Sequence, residues 1–171
     1  IAVLACYSSL GELAESAVLE NHELASRGDV FDQLITQHIR DVAAQRELAD
    51  GMAELGESSD ETSLKVRRQY EESPYPRWTS VARLKSMPLR AHMGEMFPFA
   101  NLGGLSLSAE PELLIAGCGT GAHAITSALR YRNSRVLALD LSLASLAYGK
   151  RKAGELGIEK IQWARGDILA L

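Results

Sequence analysis

Gly117, Gly119 and Gly121 stand at alternate positions in Gly-Cys-Gly-Thr-Gly, with Cys118 and Thr120 between them. A loop built this way lets backbone come close to a ligand. A side chain at those positions would block the ligand or demand a forbidden φ. Asp140 follows 19 residues after Gly121, close to the ~20 expected of an acid that hydrogen-bonds ribose hydroxyls. A second acid, Asp167, closes Trp163-Ala164-Arg165-Gly166-Asp167-Ile168. The glycines and Asp140 so spaced point to binding of a nucleotide-like cofactor.

The surrounding elements fit that chemistry. Glu112-Leu113-Leu114-Ile115-Ala116 is a short apolar run that reads as a strand buried on both faces. Residues 122–129 resume after the glycines with small and aliphatic side chains at helical spacing, and residues 135–140 read as a second buried strand ending in Asp140. Ser142 is placed to cap a helix burying Leu143, Leu146, Ala147, Ala153 and Leu156, with Lys150, Arg151 and Lys152 on its solvated face. Gly157 should end that helix, and residues 160–164 form a third strand. The fold class is therefore α/β: a Rossmann-like parallel sheet, of which the first three strands are countable, preceded by an α-helical N-terminal region. With three strands only, the third is expected to be an open apolar edge.

The spacing Gly117-x-Gly119-x-x-Ala122 satisfies the dinucleotide fingerprint, which keeps an NAD-type oxidoreductase open as an alternative. The third glycine at Gly121 gives a different loop, which resembles the first motif of class I S-adenosylmethionine (SAM)-dependent methyltransferases. The run from Trp163 to Ile168 resembles that family's third-strand motif. The resemblance implies that Gly117, Cys118, Gly119, Thr120 and Gly121 pass the methionine moiety, Asp140 and Leu141 meet the ribose, and Asp167 and Ile168 hold adenine. An acid usually stands two residues before the family's first glycine, and here that place is Ile115. About seven strands are expected by the same resemblance, and Ile1 stands where a start methionine would. Both features suggest a fragment of a longer protein.

A second resemblance extends over most of the chain. Tyr-Glu-Glu-Ser-Pro-Tyr-Pro-Arg-Trp, Leu-Ile-Ala-Gly-Cys-Gly-Thr-Gly and Asp-Leu-Ser-Leu-Ala-Ser-Leu-Ala-Tyr are similar to bacterial methyltransferases often fused to tetratricopeptide repeats, as is Leu4-Ala5-Cys6-Tyr7. It implies such repeats upstream in a parent chain, since none of that ~34-residue period is visible here. The Pro74–Pro76 corner displays Tyr70, Tyr75, Arg77 and Trp78. These side chains either seal two parts of the fold or wall the pocket, with Tyr70 or Arg77 reaching the SAM carboxylate. His123, one residue into the helix, could cap the loop or approach the same carboxylate. Cys118 reads as packing rather than as a nucleophile.

Composition narrows the rest. With 171 residues, 46% of them hydrophobic, there is material for one domain with a core. Cys6 and Cys118 make no disulfide framework, which favours a reducing, cytoplasmic setting. No apolar run approaches the ~20 residues of a membrane span. Residues 1–64 carry 3 basic and 13 acidic side chains, residues 65–90 carry 7 and 2, and residues 91–171 carry 8 and 7. This swing reads as solvated helix faces, or as an acidic front segment docking on the basic one. The basic stretch is short and lacks aromatic interleaving, so no nucleic-acid partner is expected.

In chain order, residues 1–64 read as a helical region, with one stripe on Leu13, Ala14, Ala17, Val18, Leu24 and Ala25, stopped by Gly28. A second stripe, on Phe31, Leu34, Ile35, Ile39 and Val42, follows an Asp29 cap, with His38 at its edge. Residues 65–110 form a basic helical and loop connector, and residues 111–171 the N-terminal half of the SAM-binding domain. The expected activity is methyl transfer from SAM to an unidentified small-molecule or protein acceptor. The alternatives are the NAD-type enzyme and a non-catalytic docking or regulatory module. No catalytic residue and no metal ligand is assigned.

Overall fold

A computed structural model describes residues 2–5, 10–13, 29–56, 60–82, 84–104, 106–131 and 133–170. The chain divides into two compact units, Ile1–Asp50 and Gly51–Leu171. In the first, α1 (Ala2–Ala5) and a 3-10 turn at Leu10–Glu12 precede a helical stretch. That stretch comprises α2 (Asp29–Ile35), a π-turn at Thr36–Arg40 and α3 (Asp41–Asp50). Of its predicted stripe, Ile35 and Ile39 are buried with Leu10, and Phe31, Leu34 and Leu13 pack on them, whereas Val42 is only partly buried and stands outside this cluster. The stripe predicted over residues 14–25 lies outside the described residues.

The second unit is built on a parallel sheet of β1 (Ala53–Leu55), β2 (Glu112–Ala116), β3 (Arg135–Asp140) and β4 (Ile161–Gly166), in the order β1-β4-β3-β2. Helix α6 (Ala122–Arg130) connects β2 to β3, and α7 (Leu143–Glu155) connects β3 to β4. The core lies between these helices and the sheet, on Ala124, Ile125, Ala128, Val136, Ala138, Leu146 and Trp163.

Two expectations about strands need correction. The third predicted strand is not an open edge, because β1 pairs with it in parallel, Ala53 opposite Ala164 and Leu55 opposite Gly166. Ala-Glu-Leu carries no strand signal of its own. The backbone of β4 and a close Arg165–Glu54 ion pair across the register impose it, an override of local propensity by tertiary contact. Nor is β2 buried on both faces: Leu114 is 54% exposed. Among the described residues β2 pairs only with β3 and is itself the edge.

Before the glycine loop come α4 (Glu61–Glu72) and α5 (Leu89–Met96). Asp60 starts α4 by accepting the Ser63 N–H at 2.7 Å. It ends at Ser73, the residue before Pro74, where proline disfavours helix. On α7, Ser142 caps by accepting the Ser145 N–H at 3.1 Å. The Lys150–Lys152 face is less solvated than predicted. Arg151 has only 10% of its side chain exposed and lies over the Tyr148 ring, 5.5 Å from the centroid, while pairing with Glu155. Its long apolar stem allows that.

Candidate functional site

The glycine loop leaves the carboxyl end of β2 with Gly117, Gly119 and Gly121 at φ of +67°, +53° and +82°. All three lie in the left-handed region that side chains disfavour, but only two of them face space. A Cβ on Gly117 would meet nothing within 4 Å, and one on Gly119 would come no nearer than 4.0 Å to the Tyr75 carbonyl. A Cβ on Gly121 would stand 2.5 Å from the Trp163 ring. Gly121 and Gly149 thus form a slot for that indole, a packing demand that Gly117 and Gly119 do not share.

Asp140 pins the loop. One carboxylate oxygen accepts the Gly119 N–H at 2.7 Å and the other accepts the Ser142 N–H at 3.0 Å. Each oxygen keeps a further lone pair for a ligand hydroxyl. Thr120 ties the loop down on its other side. Its hydroxyl donates to the Pro76 carbonyl at 2.6 Å, and its own carbonyl accepts from Trp78 Nε1–H at 3.0 Å. The Tyr148 hydroxyl donates in turn to the Trp78 carbonyl, and the two rings meet edge-on at 5.9 Å. The proline corner both packs on the loop and borders a cavity. Trp78 seals, while Tyr75 and Pro76 wall a cavity of about 480 Å³.

Of the predicted site residues, Gly117, Cys118, Gly119, Thr120, Asp140, Leu141, Ile168, Tyr70 and His123 line that cavity. Gly121 and the exposed Arg77 do not. Asp167 is 3% exposed and accepts the Leu169 N–H at 2.9 Å. It lines a polar recess of about 250 Å³ with Glu54, Arg67 and Arg165, joined to the cavity through the shared Leu141 and Gly166.

The Cys118 thiol is packed under the loop and donates to the Gly119 carbonyl at 3.6 Å. Burial, with the Asp140 carboxylate adding to it, pushes this thiol far above its usual range, so it stays protonated. Native protein at neutral pH should leave Cys118 unalkylated by iodoacetamide, while denatured protein should label fully. Mass spectrometry of the Cys118 peptide checks this, and equal labelling in both states would contradict a packed thiol.

Two features escaped the sequence. Glu71 receives the Leu143 and Ala144 N–H groups at 2.7 and 3.0 Å, and Gly149 makes room for Trp163. Glu71 does carry a signal in hindsight, as an acid immediately before a rigid proline corner. Its partner lies 72 residues away, and no spacing rule reaches that far. Among the described residues no group of three or more His, Cys, Asp or Glu could hold a metal ion, and no helix is long and apolar enough to cross a membrane.

A parallel β-α-β-α-β unit with a glycine loop ending one strand and an acid ending the next defines a Rossmann-like nucleotide-cofactor domain. Residues 113–171 match the family model described as a methyltransferase domain. A release factor glutamine methyltransferase of Chlorobaculum tepidum is 38% identical over 68 residues, 39% of this chain and 23% of that protein. Geranyl diphosphate C-methyltransferase of Streptomyces coelicolor A3(2), solved with Mg2+, geranyl diphosphate and S-adenosyl-L-homocysteine, aligns at a TM-score of 0.45 and 17% identity. That alignment covers 67% of this chain and 50% of the other. Coclaurine N-methyltransferase bound to N-methylheliamine and SAH aligns at 0.42 and 18%, over 77% and 40% of the two chains. The chain thus spans about a quarter of the length of the curated relative and half that of the first solved structure.

Proposed function

We propose that this chain supplies the SAM-binding part of a methyltransferase that acts on a small-molecule or protein acceptor. The observation that carries the reading is the pair Gly117 and Gly119, both at positive φ and both open to the cavity, with Asp140 fixing the second of them. That cradle fits a ligand that needs close backbone approach beside a hydroxyl-accepting carboxylate. In this reading the 117–121 loop meets the methionine end, and Asp140 and Leu141 the ribose. Ile168 lies against adenine, with Asp167 alongside it in the polar recess. Tyr70 and His123 are the cavity-lining candidates for the cofactor carboxylate.

When bound, SAM supplies an electrophilic methyl on its sulfonium, so the hard chemistry is the cofactor's. The protein's own contribution is orientation and the exclusion of water. Asp140 holds the Gly119 N–H and offers its remaining lone pairs. Tyr75 and Pro76 close one wall. Cysteine usage supports a cytoplasmic setting, since Cys118 is a buried free thiol.

Calorimetric titration of the intact protein with SAM and with NAD tests the reading. Binding of SAM and not NAD is the expected result. NAD binding alone would favour the oxidoreductase suggested by Gly117-x-Gly119-x-x-Ala122. SAM binding without methyl transfer to any acceptor offered would favour the docking or regulatory module.

A further inference from the structure

The α4 end and the proline corner that follows it make more contacts with the cofactor cradle than sealing would need. At its α4 end the segment grips the start of α7. Glu71 takes the Leu143 N–H on one carboxylate oxygen and the Ala144 N–H on the other, at 2.7 and 3.0 Å. The Ser142 hydroxyl donates to the Tyr70 carbonyl at 3.1 Å. At its far end the segment grips the glycine loop, through Thr120 to Pro76 and Trp78 to Thr120.

These bonds complete an accounting of the α7 N-terminus. A helix start leaves its first N–H groups without partners inside the helix. Here Asp140 takes that of Ser142, Glu71 takes those of Leu143 and Ala144, and Ser142 takes that of Ser145. Two carboxylates therefore meet the positive end of one helix dipole. One of them comes from the strand that carries the site acid, and the other comes from a separate helix. The Ser142 N–H reaches Asp140 from the helix side, and Asp140 in turn holds Gly119.

We infer that Glu71 is a positioning residue for the cofactor site. By fixing the first turn of α7 it holds the Ser142 N–H, and through it the Asp140 carboxylate and the Gly119 backbone, at one spacing. Tyr70–Trp78 is then a strap that sets the distance between the two sides of the cradle. This rests on the SAM reading above.

The test uses the intact protein and the variants Glu71→Gln and Ser142→Ala, with the exposed Glu72→Gln as a control. Glutamine has one acceptor oxygen and no charge, so it cannot serve both N–H groups as the carboxylate does. Glu71→Gln should weaken SAM binding about tenfold by calorimetry, since charge-assisted bonds are the ones lost. It should raise KM for SAM with little change in kcat. Hydrogen exchange without cofactor should quicken at the Leu143, Ala144 and Gly119 amides, the last being remote from the substitution. Ser142→Ala should act in the same direction, and Glu72→Gln should leave affinity unchanged.

A purely structural Glu71 would lower the melting temperature and quicken Leu143 and Ala144 while leaving Gly119 exchange and SAM affinity as they were. That outcome overturns the inference. Should Glu71→Gln fail to fold, Ser142→Ala decides by the same readouts, with unchanged affinity counting against. If the unaltered protein binds no SAM, the cofactor reading fails, and exchange at Gly119 still reports whether Glu71 acts through Asp140.

Discussion

Asp140→Ala should lower SAM affinity by roughly 10- to 100-fold, the equivalent of losing one charge-assisted interaction of about 1.5–3 kcal/mol. The same change should also destabilise the protein. Asp140 already holds the Gly119 and Ser142 N–H groups, at 2.7 and 3.0 Å, and alanine leaves both without an acceptor. Water can reach the Gly119 side through the cavity, so the stability loss belongs at the lower end, about 1–2 kcal/mol. Calorimetry for affinity and denaturant unfolding for stability separate the two effects. A folded Asp140→Ala protein with undiminished SAM affinity would remove the ribose assignment.

Gly121→Ala is expected to damage the fold more than any other single-methyl addition in the loop. The new Cβ would stand 2.5 and 2.8 Å from two Trp163 ring carbons and 3.1 Å from the Gly149 Cα, at a φ of +82°. Overpacking of about 1–3 kcal/mol and left-handed strain of about 1–2 kcal/mol act together. Gly119→Ala carries the strain alone, because its Cβ has no neighbour nearer than 4.0 Å. Thermal unfolding should therefore place Gly121→Ala well below Gly119→Ala, whereas titration with SAM should find Gly119→Val more impaired in binding than in stability. Equal melting temperatures for the two alanine variants would mean that the Trp163 slot yields at little cost.

The contrast shows what the sequence could and could not tell. Alternating glycines, a terminal acid and apolar runs of strand length are local patterns, and they predicted β2, β3, β4 and both connecting helices. They could not separate a glycine that opens on the cavity from one that faces an indole, because Trp163 and Gly149 reach Gly121 only in the folded chain. Ala53–Leu55 was illegible for the same reason, since its strand character comes from β4 and not from its own residues. Glu71 looked like one acid among many on an exposed helix. Its role depends on α7 arriving beside it, with the helix start presenting two unpaired N–H groups at carboxylate spacing.

That borrowed strand sets an order of events during synthesis. Glu54 and Arg165 are separated by 111 residues, so the ribosome needs about 6–20 s to deliver the partner of β1 at ordinary elongation rates. Over that interval Ala53–Leu55 has no sheet to join, and the β2-α6-β3 unit can assemble without it. Closing so long a loop is entropically costly, and a strand of three residues gives little in return until the rest of the sheet is in place. Among the four described strands, the first to be translated is therefore expected to be the last seated.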